Sequence, residues 1–136
     1  MGCDIHAYWE VKYKEKWMPW GEARAELWYY PFALMAGVHD YENERLYKPR
    51  GLPDDVTDLV KSISDSLSSD GHTHSYLSAD ELRKVYKTVR DEPDVDEEMV
   101  DALRRWFEAL EHVCAWEIVR ETEPIEDVRL VFWFDS

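Results

Sequence analysis

Hydrophobic and polar residues alternate from Cys3 to Tyr13. Cys3, Ile5, Ala7, Trp9 and Val11 fall on one face and Asp4, His6, Tyr8, Glu10 and Lys12 on the other. A period of two predicts a half-buried strand. The polar Lys14-Glu15-Lys16 then turns the chain into a second strand through Trp17, Met18 and Trp20, and Pro19 assigns that strand to a sheet edge because proline donates no ladder hydrogen bond. From Pro31 to Val38 the run PFALMAGV opens on proline and stops at Gly37, which predicts a short buried helix. No period governs His39 to Pro53, so a long loop is expected there, and long loops in small domains are often functional.

Val56, Leu59, Val60, Ile63 and Leu67 recur at helical spacing and predict a helix from Asp54 to Leu67, with Asp54 or Asp55 as its cap. Ser68 to Ser75 is expected to be a loop. Ser78-Ala79-Asp80-Glu81 has the form of a capping box, and it leads a helix whose buried stripe is Leu82, Val85, Tyr86 and Val89. A longer helix is expected from about Asp96 to Val113, burying Val100, Leu103, Phe107 and Leu110. Trp116 to Val119 reads as a further strand. Val128 to Phe134 (VRLVFWF) is apolar on both faces and predicts a central strand. Together these elements make an α+β fold: a small, mainly antiparallel sheet of three to five strands covered by three or four helices, in one domain over residues 1–136.

Composition narrows the partners. With 30 acidic and 16 basic residues among 136, the formal charge is -14, which repels nucleic acid polymers and anionic membrane surfaces over any broad contact. The two cysteines, Cys3 and Cys114, form no CxxC pair, and no basic flank precedes an apolar stretch at the start. The expectation is therefore a protein of a reducing cytoplasm, with free thiols and no membrane anchor. Seven Trp and eight Tyr supply a core, and Tyr41, Tyr47 and Tyr76, in or beside irregular segments, are candidates for stacking on a ligand.

Three short segments carry most of the candidate chemistry. Asp4 and His6 stand two apart on a strand and so share a face. His72 and His74 have the same spacing, and the four together could hold a divalent ion such as Zn²⁺ or Mn²⁺. The segment PRGLPDD places Arg50 and Gly51 just ahead of a predicted helix N-terminus, a seat for an anion that Asp54 and Asp55 oppose at close range. Ser75 lies beside the histidines but lacks the surroundings of a serine nucleophile. Each segment also has a plain structural reading: a polar sheet face, a rigid turn and a solvated loop.

MGCDIH, FALMAGV, PRGLPDDV, HTHSYLS and the closing VRLVFWFD, in that order, resemble a family of small bacteriophage and prophage proteins. Those proteins begin MGCDIH, carry PRGLPDDV and an HSxSWL or HSxSYL segment, and end on a FWFDN-like stretch. Tyr76 stands where that pattern has Trp, Ser136 where it has Asn, and nothing from about Lys84 to Val119 corresponds. The matched positions are Asp4, His6, Arg50, Gly51, Asp55, His72 and Ser75. The resemblance implies a phage host-interaction or counter-defence protein.

Three functional readings follow. In the first, Asp4, His6, Tyr47, Arg50, Gly51, Asp55, His72, Ser75 and Tyr76 line a pocket that sequesters a small anionic nucleotide used as an immune signal. In the second, Asp4, His6, His72 and His74 hold a metal that activates water to cleave such a nucleotide. In the third, the chain is an acidic inhibitor that binds a host protein. A homo-oligomer is compatible with all three.

Overall fold

A strand can be apolar on both faces when each face meets its own cover, and the C-terminal strand is built that way. A computed structural model of the chain describes residues 4–23, 29–37, 46–66, 71–119 and 125–135. The elements run β1 (Asp4–Tyr13), β2 (Lys16–Glu22), α1 (Tyr29–Ala36), α2 (Asp58–Ser66), β3 (Gly71–Ser78), α3 (Ala79–Asp91), α4 (Glu97–Val119) and β4 (Ile125–Asp135). The strands form one antiparallel sheet in the order β2-β1-β4-β3.

Alternation along β4 divides its side chains. Val128, Leu130, Phe132 and Phe134 join Ala7, Trp9, Val11 and Leu77 in a core closed by Phe32 and Met35 of α1, Leu82, Val85 and Val89 of α3, and Leu103, Trp106 and Phe107 of α4. Val131 and Trp133 point the other way, to Val60 of α2, with Tyr8, Leu52, Val56, Ile63 and Tyr76 packed around them. One face of the sheet thus carries three helices and the other, among the described residues, carries α2 and the segment leading into it.

Local sequence accounts for the joints. Lys14 and Glu15 both adopt positive φ, 49° and 66°, in the two-residue turn from β1 to β2, a backbone whose twist matches that of the flanking strands. Ser78 caps α3 in the predicted capping box with Glu81. A β-bulge between β1 and β2 pairs Glu10 with Pro19 and Trp9 with Gly21, which leaves Trp20 as the extra residue.

Four expectations need correction. The helix predicted from Asp54 starts at Asp58, and its cap is Thr57, whose Oγ1 accepts from the Val60 amide at 3.4 Å. Leu59, assigned to the buried stripe, is 55 % exposed. The loop expected over Ser68 to Ser75 gives way to β3 from Gly71, because its residues pair with the strongly apolar β4. Trp116 to Val119 belong to α4, which runs to Val119. Cys3, Tyr41 and Leu67 lie outside the described residues.

Candidate functional site

The predicted site residues lie on both faces of the sheet, with His72, Ser75 and Tyr47 on the side of α1, α3 and α4, and they fall into separate groups. The first group clasps the edge of β3. The Arg50 amide donates to Ser75 Oγ at 3.1 Å and the Gly51 amide donates to the His74 carbonyl at 2.8 Å, so residues 50–51 run against the outer edge of β3. Gly51 makes this turn at φ +79°, a conformation that disfavours side chains. The Arg50 guanidinium donates to the Tyr76 carbonyl at 3.0 Å and to both carboxylate oxygens of Glu81. It lies near the rings of Tyr47 and Tyr76, 5.3 and 5.6 Å from their centroids. The hydrogen bonds from Arg50 hold the Glu81 carboxyl down to about 2. Tyr47 is shifted up, first by burial and then by the Glu81 charge.

The second group sits in mid-sheet, and sequence reasoning did not find it. Arg129, nearly buried, donates to Glu10 at 2.7 Å, to Asp55 at 2.8 Å and to the Asp55 carbonyl at 3.1 Å. Its guanidinium carbon lies 3.8 Å from the centroid of the Trp17 ring. The second oxygen of Glu10, a fully buried side chain, accepts from the Thr57 amide at 2.9 Å. The anion at the start of α2 is therefore a carboxylate of the chain itself, which satisfies the amide of the cap residue and complements the helix dipole. Asp55 acts here as a ligand of Arg129, whose hydrogen bond lowers its pKa. A signal for this group did exist in the sequence. Arg129 is the one charge within VRLVFWF, and a charge in a buried strand requires a partner on the neighbouring strand.

The third group surrounds Trp133. His6 and His74 flank its indole from the two neighbouring strands, with centroids at 5.6 and 5.7 Å and interplanar angles of 22° and 18°. Tyr8 stacks at 5.6 Å. His6 Nε2 is bonded to Asp135 at 2.6 Å, and His74 Nε2 to Ser64 of α2 at 2.9 Å. Burial, then the nearby His72, lower the pKa of His74, which keeps its imidazole neutral at neutral pH.

His72 does not join them. Between His72 and Ser75 the ladder to β4 slips by one residue, with Thr73 at φ 56°, so Thr73 and His74 together oppose Trp133. This bulge breaks the alternation. His74 turns to Trp133 while His72 turns to Phe134, on the opposite face, at 6.2 Å. The four expected metal ligands are consequently not gathered, and among the described residues no three His, Cys, Asp or Glu side chains stand close enough to share an ion. Asp4 is exposed at the end of β1, opposite Asp135.

An opening with space for a ligand lies elsewhere on the same face. A groove of about 200 Å³ runs between the edge strand and α2, lined by Tyr8 and Trp9 of β1, residues 19–22 of β2, and Leu59, Val60 and Ile63 of α2. Trp20 and Leu59, both in that lining, are 42 % and 55 % exposed, whereas Met18 of β2, 47 % exposed, pairs with Val11 of the other face. The β1–β2 bulge projects Trp20, and the late start of α2 leaves Leu59 outside its buried stripe. Glu22 stands opposite Tyr8 in the ladder and raises the tyrosine pKa, after burial as the larger cause. No helix among the described residues is long and apolar enough to cross a membrane. No family model matches the chain, and neither a curated protein nor a solved structure does.

Proposed function

We propose that this protein is a binding module that docks on another protein through the groove between β2 and α2. One observation carries the reading. Among the described residues, two of the three large apolar side chains left exposed, Trp20 and Leu59, stand together in the lining of the groove, one on each of the elements that border it. Exposed apolar surface gathered in one place is the mark of an interaction site, whereas scattered single residues are not. The charge of -14 favours a basic partner surface by the same long-range field that repels nucleic acid. The resemblance to phage proteins makes a protein of the host cytoplasm the expected partner, in a host-interaction or counter-defence role.

A nucleotide has less support from the geometry. Arg50, the cation intended for its phosphate, is paired with Glu81, and the start of α2 is taken by Glu10. The groove also lies below the roughly 300–1,000 Å³ usual for small-molecule pockets and has a carboxylate on its rim.

Affinity capture from host lysate with the wild-type chain, Leu59→Asp and Trp20→Ala tests the proposal. Both substituted side chains are substantially exposed, so stability should change by no more than about 0.5 kcal/mol. A protein retained by the wild type should be lost with both variants, and titration of that purified protein should reproduce the difference. Equal retention by all three chains would remove the groove from consideration.

A further inference from the structure

The chain twice places a guanidinium against aromatic rings and backs it with a carboxylate: Arg129 over Trp17 with Glu10 and Asp55, and Arg50 by Tyr47 and Tyr76 with Glu81. The groove holds the aromatic and acidic parts of the same arrangement. Tyr8 and Trp20 contribute rings to its lining, and Glu22, an exposed carboxylate, meets no cation among the described residues. Leu59, Val60 and Ile63 supply an aliphatic wall beside them.

We infer that the groove accepts a cationic side chain from the partner, with arginine preferred. This rests on the docking reading above and specifies what that surface recognises. The aliphatic stem lies along Leu59, Val60 and Ile63, and the cation reaches the Trp20 ring and the Glu22 carboxylate. A long basic side chain is the one kind with an apolar stem and a charged tip, so it satisfies both halves of this lining. Arginine is favoured over lysine because its planar, weakly hydrated guanidinium stacks on aromatic rings while its edge bonds a carboxylate. A purely apolar side chain would fill the same space but would cover Glu22 without neutralising it.

The test uses the full chain and three probes, acetyl-Gly-Arg-Gly amide and its Lys and Leu counterparts, followed by nitrogen-15 NMR at the Gly21 amide and the Trp20 indole. The Arg peptide should shift both signals saturably and bind about fivefold more tightly than the Leu peptide, the gain expected from one exposed cation–π contact and one surface ion pair. Lys should fall between them. Glu22→Gln, at an exposed position, should retain the wild-type melting temperature and lose most of the Arg preference, and high salt should weaken the wild type alone.

A Leu peptide that binds as well as the Arg peptide, or an Arg preference that survives Glu22→Gln, would overturn the cation site while leaving the docking surface in place. Absence of any saturable shift at Gly21 and Trp20 would also overturn it. Failure of the docking reading is a separate result, the unchanged retention of partner by Leu59→Asp and Trp20→Ala.

Discussion

The two faces of the sheet are held by different forces. On the face of α1, α3 and α4, cohesion comes from area: Phe32, Leu77, Leu82, Leu103, Leu130, Phe132 and Phe134 are all fully buried. On the face of α2 the fully buried apolar set is Val60, Val131 and Trp133, and polar ties do the fastening: Arg129 to Glu10 and Asp55, and Ser64 to His74, while Arg50 to Glu81 clasps the segment ahead of α2 to α3 around the edge of β3. Burial is non-directional and grows with area, whereas a tie holds one geometry and fails when either partner is removed. The contrast teaches that Asp55 and His74, first read as site residues, are fastenings of the thinner layer. The proposed recognition surface lies where that layer stops short of the sheet edge.

Substitutions on the two faces should separate these forces. Phe132→Ala on the thick face should cost about 3–5 kcal/mol in urea unfolding, and no second substitution at a polar tie should restore it. On the other face, Arg129→Met strands the buried Glu10 carboxylate and should cost about 3 kcal/mol, while adding Glu10→Leu should recover much of the loss because the uncompensated charge is gone. If the double variant is no better than the single one, the face is not held as described.

The smallest effect belongs to the clasp. Glu81→Gln should cost about 1 kcal/mol at neutral pH, since the Arg50 pair is partly exposed. It should speed amide exchange at Gly51 without affecting Leu103. The Glu81 carboxyl sits at about 2 in the folded chain against an ordinary 4.5, so its contribution is complete above the ordinary value and is lost as pH falls through about 2. The stability difference between wild type and variant should therefore shrink across that acid range, and a constant difference would count against the clasp.

The elements with a sustained period were legible in the sequence. The alternation of β1, the two-sided apolar run of β4, the stripe of α3 and its capping box follow from local pattern, and each stands where that pattern put it. Residues whose meaning depends on a distant strand were not legible. Glu10 and Arg129 are 119 positions apart, and neither alone shows that one neutralises the other. His72 and His74 share a spacing that normally shares a face, and the one-residue slip at Thr73 is invisible without β4 beside it. Asp4 and His6 stand on the predicted first strand and Tyr47, Arg50, Gly51 and Asp55 in the segment expected to be irregular, while Ser75, expected in a loop, and Tyr76 belong to β3. Their chemistry was misjudged because sequence does not show which charges are already neutralised.

The strand order also has a consequence in time. β4 lies between β1 and β3, and its side-chain bond from Asp135 to His6 spans 129 positions. A ribosome delivers the β1–β2 hairpin and β3 long before the strand that joins them, and helices form far faster than such distant pairings. The nascent chain therefore holds two unjoined sheet fragments with exposed inner edges until its last strand arrives. Closure of the sheet is then a single late event, and agents that capture open strand edges should act on this protein during synthesis rather than after it.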